Sequence, residues 1–203
     1  MKSSKIILYG ASGHAKVVSS IVEAMDRSID IIFDDNNKIL NLNQYRVLTG
    51  YDKNYNPNIP LIISIGENII RKNISKKITH PFTILLHPTS IIDKKVIIEN
   101  GTVIFHNAIV QWDSIIGKHC IINTNASIDH DCFISDFVHI SPSATLCGNV
   151  NVGEGTHIGA GATVLPNINI GKWCIIGAGA VITKDVPDYS LIIGVPGKII
   201  KKL

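Results

Sequence analysis

Residues 116–134 read Ile116-Gly-Lys-His-Cys-Ile-Ile122-Asn-Thr-Asn-Ala-Ser-Ile128-Asp-His-Asp-Cys-Phe-Ile134, with an aliphatic side chain at every sixth place. Stepping by six from Leu86 to Ile182 gives seventeen positions, and all seventeen are Ile, Leu or Val. If about a third of positions held such residues by chance, that agreement would arise roughly once in 10⁸. Four residues after each aliphatic runs a register of smaller side chains, among them Thr102, Ala108, Ser114, Ala126, Ala144, Thr156, Ala162 and Ala180. A period of six suits short strands joined by tight turns, three hexads to a coil. The large aliphatic then fills the axis, the small residue fits beside it, and residues eighteen apart stack. On that rule His139 lies against His157 in adjacent coils. The same register takes up Cys120, Cys132 and Cys174, while Cys147 follows an aliphatic, so buried free thiols are expected rather than disulfides or a metal site.

Upstream of about residue 80 the pattern alternates strand and helix. Lys5-Ile-Ile-Leu-Tyr-Gly10 reads as a buried strand ending in a glycine turn, and Ala15–Met25 as a helix. Asp30–Asp34 is a second strand, closed by the acidic pair Asp34-Asp35. Pro60–Gly66 is a third, followed by a basic helix through Arg71, Lys72, Lys76 and Lys77. This order predicts a Rossmann-like α/β unit over residues 1–80, with any ligand at the carboxyl ends of its strands. Residues 81–203 are expected to form the coil of hexads and a C-terminal tail.

Composition narrows the function. Of 203 residues, 45% are hydrophobic and 17% charged, and the mean hydropathy is +0.25. The apolar residues are broken up everywhere, so no run reaches the ~18 residues of a membrane span. The first residues lack the features of a signal peptide, which points to a cytoplasmic protein. A net charge of +3 without a basic stripe gives no reason to expect nucleic acid.

The segments Gly10-Ala-Ser-Gly-His14, Asp34-Asp35, Ser64-Ile-Gly66, Ile128-Asp-His-Asp-Cys132 and Gly194-Val-Pro-Gly197 occur in this order. Together with the hexads they resemble the sugar acetyltransferases of the PglD/NeuD type, within the hexapeptide acyltransferases. The resemblance covers essentially the whole chain. It implies a left-handed parallel β-helix, although parallel crossovers in general favour the other hand. It also implies acetyl-CoA as co-substrate, no metal, a nucleotide-linked amino sugar as acceptor, and a homotrimer. Flat faces on a three-sided coil suit such an assembly. The segment Ile65-Gly-Glu-Asn68 with the following Ile70-Arg-Lys72 is most similar to enzymes acetylating UDP-linked 4-amino-4,6-dideoxy sugars on the bacillosamine route. Sialic acid O-acetylation and GDP-linked amino sugars belong to the same class.

Acyl transfer to an amine needs a base that is neutral near pH 7, and His130, flanked by Asp129 and Asp131, can serve. The resemblance makes His130 the general base, Asp131 the residue that raises its basicity, and Asn123 an active-site amide. His139 corresponds to a histidine that contacts acetyl-CoA. Gly148 corresponds to a backbone N–H facing the thioester carbonyl, and Ala160 and Ala178 to the coenzyme groove between coils. Ser12, Gly13, His14, Asp34, Asp35 and Gly66 correspond to the hold on the nucleotide sugar. Taken alone, the glycine turn lacks the full dinucleotide fingerprint and reads as an ordinary βα turn. Two further readings stand beside the transferase. A zinc hydratase of the γ-carbonic anhydrase type would share the β-helix, but His106, His119, His130, His139 and His157 are 13, 11, 9 and 18 apart and give no pair five apart. A non-catalytic scaffold would leave the Asp-His-Asp cluster unexplained.

Overall fold

The computed structural model describes residues 4–203. Five strands and two helices come first: β1 (Lys5–Tyr9), α1 (Gly13–Ala24), β2 (Ser28–Asp34), β3 (Asn41–Leu42), β4 (Tyr45–Thr49), β5 (Leu61–Ile63) and α2 (Asn68–Ser75). The sheet order is β3-β4-β2-β1-β5, with β1 parallel to both β2 and β5. Strand alternation splits β1 between two cores. Ile6 and Leu8 meet Val18, Ile21 and Val22 of α1, while Ile7 and Tyr9 face Phe33, Ile63 and Ile74. The basic helix is shorter than its charge pattern suggests: α2 stops at Ser75, with Lys76 at its cap. The hairpin of β3 and β4 leaves no signal that the pattern reading detected.

From Leu85–Leu86 to Val181–Ile182 run seventeen two-residue strands, one per hexad. They distribute over three parallel sheets whose partners are eighteen residues apart, as in Ile109↔Ser127↔Thr145 and Ile121↔His139↔His157. The faces hold six, five and eight strands. The last includes the antiparallel C-terminal hairpin, Ser190–Ile193 with Lys198–Lys202. Inside, the aliphatics from Ile104 to Ile182 form one buried column with Ala108, Ala126, Ala144, Ala162 and Ala180. Each fully buried Ile or Leu contributes about 1.5–3 kcal/mol. Leu86, Ile92 and Ile98 are only partly buried, because they cap the end of the stack. All four cysteines are free; three are buried, and Cys147 is half-buried.

Every hexad corner from Gly101 to Gly179 turns through a residue with positive φ, three places after the aliphatic. Most are Gly, Asn, Asp or Ser, which tolerate that region. His119, Phe137 and Trp173 are bulky exceptions (φ 55°, 60° and 53°) that share one corner with Gly101 and Gly155. That corner docks the α/β unit. The rings of His119 and Phe137 stack at 5.1 Å, Phe82 meets His119 edge-on, and the Lys72 ammonium lies 5.0 Å from the Trp173 ring centroid. Arg71 fastens the joint from α2. Its guanidinium donates to the carbonyls of His119 (2.8 Å), Phe137 (2.9 Å), Ile65 (3.0 Å) and Gly66 (3.1 Å) and to Asn68 Oδ1 (2.8 Å). Asn68 Nδ2 donates to the Gly155 carbonyl at 3.0 Å, and Lys72 pairs with Glu154. Elsewhere Leu85, Val103, Phe105 and Ile121 of the β-helix enter the core beneath α1.

Candidate active site

His130 stands at the corner between the six-strand and five-strand faces. The next residue, Asp131, is that corner's left-handed one (φ 59°), which turns its carboxylate back onto the preceding ring. Asp131 Oδ2 lies 2.7 Å from His130 Nδ1, and Asp129 Oδ1 accepts the His130 backbone N–H at 2.8 Å. A carboxylate at Nδ1 holds the proton there and leaves Nε2 with its lone pair outward. The hydrogen bond to Asp131, reinforced by the Asp129 charge, holds the imidazole above its ordinary pKa although the ring is exposed. One coil on, Gly148 faces the ring directly. A methyl there would stand 2.6 Å from His130 Cε1 and 2.7 Å from Nε2. Gly148→Ala is therefore expected to displace the His130 ring and lower kcat/KM about a hundredfold with the melting temperature nearly unchanged. Normal turnover in that variant would show that the ring does not work from this seat.

A second cluster lies on the eight-strand face and its following corner. The His139 and His157 rings stack at 4.7 Å and 4° as the eighteen-residue spacing requires, and His139 Nε2 is 3.1 Å from Asn123 Nδ2. The His157 Nε2 meets Ser141 Oγ at 2.7 Å. From the α/β unit, the His14 ring reaches within 6.4 Å of the His139 ring and packs beside Gly66. Beside these rings a cavity of about 550 Å³ opens between Gly66–Ile69 and the coils, reaching Trp173 and Tyr189. Ala160 and Ala178 lie exposed on the same corner as Asn123, eighteen residues apart.

Burial sets the charge state of this cluster. It pulls His139 down to about 2, and His14 and His119 to about 4, with the Arg71 charge adding to each. The unfolded chain takes up protons on these rings near the ordinary 6.5, while the folded chain resists until far lower pH. Stability contributed by the neutral rings is present above 6.5 and falls away as pH drops toward 4. Melting temperatures between pH 7 and 4 should decline accordingly, and a flat profile would count against buried neutral rings.

The strand ends of the α/β unit hold the third group. Ser12, Gly13 and Asp35 are exposed there. Asp34 is occupied by the fold: its carboxylate accepts the backbone N–H of Ala11 at 2.7 Å and of Asn36 at 2.8 Å. The Tyr9 hydroxyl donates to Asp35 Oδ1 at 2.7 Å. Within one chain, then, His130, Asp131 and Gly148 occupy one corner, while Asn123, His139, Ala160 and Ala178 occupy another together with His14 and Gly66.

Residues 5–78 match the family described as PglD N-terminal domain, and residues 149–184 match bacterial transferase hexapeptide (six repeats). Perosamine N-acetyltransferase from Caulobacter crescentus, solved as a mutant in complex with CoA and GDP-perosamine, is 32% identical. That match covers 98% of this chain and 97% of the other at a TM-score of 0.92. This chain belongs to the PglD-type hexapeptide sugar acetyltransferases. The acetyltransferase domain of PglB from Neisseria gonorrhoeae FA1090, in complex with acetyl coenzyme A, is 31% identical with a TM-score of 0.89, covering 98% of this chain and 100% of that one. A UDP-N-acetylbacillosamine N-acetyltransferase of Bacillus subtilis (strain 168) is 38% identical over 109 residues, 49% of this chain and 50% of that protein. The match thus spans about half the length of that relative.

For a PglD-type chain, the zinc-hydratase and scaffold readings lose their footing. Among the described residues no group of three or more His, Cys, Asp or Glu could hold a metal ion, and no helix is long and apolar enough to cross a membrane. Sequence reading missed Arg71 and Asn68 as the joint beneath Gly66 and His139. Their spacing with Ile74 marks the buried stripe of α2, whereas the apolar Ile69 and Ile70 are exposed.

Proposed function

We propose that the chain transfers acetyl from acetyl-CoA to the amino group of a nucleotide-linked amino sugar, with a UDP-linked 4-amino-4,6-dideoxy sugar as the first choice of acceptor. The observation that carries this reading is the His130–Asp131 pair, set against a glycine at an open corner. The amine nitrogen attacks the thioester carbonyl carbon, a C–N bond forms, and His130 Nε2 accepts the proton the nitrogen sheds. As the C–S bond breaks, that proton passes to the departing thiolate, which leaves as coenzyme A thiol. The Gly148 N–H steadies the developing oxyanion. Residues 1–80 hold the nucleotide through Ser12, Gly13, His14, Asp35 and Gly66, with Asp34 shaping the turn. Residues 81–203 hold acetyl-CoA along His139, Ala160 and Ala178.

A homotrimer completes the site. His130 and the Asn123–His139 cluster sit on different corners of one prism, and neighbouring β-helices packed side by side bring such corners together. Light scattering should give a trimer; a fully active monomer would overturn this. Acetyl-CoA and nucleotide sugars are cytoplasmic metabolites, which supports that compartment. A GDP-linked acceptor is the second reading, favoured by the relative crystallised with GDP-perosamine across nearly the full length of this chain. Thiol release from acetyl-CoA, measured against UDP-, GDP- and TDP-linked amino sugars and free sialic acid, decides. Release with an amino sugar nucleotide is expected, and release with sialic acid alone would overturn the amine assignment.

A further inference from the structure

The column of residues two places after the aliphatic at the His130 corner runs Lys94, Trp112, His130, Gly148, Pro166. Five unlike side chains show that packing within the coils does not demand an indole at this position. Yet Trp112 stands one coil before the base, 45% exposed. Its carbonyl accepts the Asp131 N–H at 3.0 Å, which fixes the coil spacing, and the Lys95 ammonium lies 5.2 Å from its ring centroid. The ring is steadied without being buried.

The two sides of His130 are unlike. Toward higher numbers lie Gly148 and, farther on, the coils of Ala160 and Ala178. Toward lower numbers lies the coil that carries both Trp112 and Phe105; the His14 ring of the α/β unit packs 5.4 Å from the Phe105 ring and 6.4 Å from the His139 ring, level with the coils of Trp112 and His130. In an assembly whose threefold axis runs along the helix, every copy's His14 stands at the height of those two coils. The nucleotide sugar therefore approaches the base from the Trp112 side, and the thioester from the Gly148 side. A 4,6-dideoxy sugar presents C–H bonds and a methyl group, an apolar face that an exposed indole matches.

We propose that Trp112 is the acceptor-binding platform of this site: its ring receives the apolar face of the amino sugar and sets the amine nitrogen toward His130. This inference rests on the acetyltransferase reading above. Trp112→Ala should raise the KM for the amino sugar nucleotide about tenfold and leave the KM for acetyl-CoA unchanged, with Trp112→Phe recovering most of the loss. The chain holds two tryptophans, so Trp173→Phe leaves Trp112 as sole emitter. Its fluorescence should respond to the sugar nucleotide and stay unchanged with UDP alone. An unaltered sugar KM in Trp112→Ala, a loss confined to acetyl-CoA, or an equal response to UDP would overturn the platform and leave the transferase intact. Wild-type protein that releases no thiol with any amino sugar nucleotide would instead sink the transferase reading, and this inference with it.

Discussion

His130→Ala is expected to lower kcat by about 10²–10⁴, the usual contribution of a positioned general base, while acetyl-CoA still binds. The exposure of the ring makes the variant informative, since nothing in the core depends on it and its melting temperature should match wild type. Asp131→Asn tests the partner. A general base works only when neutral, so if His130 has the proposed role the rate rises with pH through its pKa. Asp131 and Asp129 hold that pKa above the ordinary value. Losing the Asp131 anion lowers it, and the acidic limb of kcat/KM moves to lower pH with a smaller fall in turnover. Near-normal turnover in His130→Ala would overturn the assignment whatever the fold.

Arg71→Ala should cost about 4 kcal/mol of stability, because it strands buried carbonyls of His119, Phe137, Ile65 and Gly66 together. For a chain of this length that is a fall of roughly 8–16 °C in melting temperature. The guanidinium is 1% exposed and burial draws its pKa to about 10, so it remains charged at neutral pH. Among the described residues its hydrogen-bond partners are carbonyl and amide oxygens, with the Glu67 charge adding support, and lysine with its point charge could not satisfy them in the same fork. Arg71→Lys should therefore recover little. Both variants should also raise the KM for the sugar nucleotide, since Gly66 and His139 lose their common support. A shift under 2 °C in calorimetry would mean that the joint does not depend on this side chain.

The β-helix was legible because its constraint is local and periodic. Each of seventeen hexads must place an aliphatic on the axis and a small residue beside it, and each repeats the rule in the sequence. The His139–His157 stack and the buried cysteines follow from the same arithmetic. Of the site, the His130–Asp131 pair was legible because adjacent residues share a turn. What the pattern missed is joined across long separations. Arg71 meets carbonyls 48 and 66 residues away, and polar side chains carry no period that would betray such partners. Asp34 has a second task that the pattern did not show: it stands at a strand end, and its oxygens also accept the backbone N–H groups of Ala11 and Asn36.

By itself the sequence determined the coil, its eighteen-residue stacking, the order of α/β unit before β-helix, and the chemistry available at the Asp-His-Asp turn. The hand of the coil entered only with the family resemblance, because a six-residue period is satisfied by either hand. Tertiary structure alone decided that α2 docks on the His119–Phe137–Trp173 corner, that Gly148 faces the His130 ring, and that His130 and Asn123 look out from different corners. A period places residues along a column. Which column faces which partner depends on the packing of surfaces far apart in the chain, where shape and hydrogen-bond geometry rather than spacing carry the information.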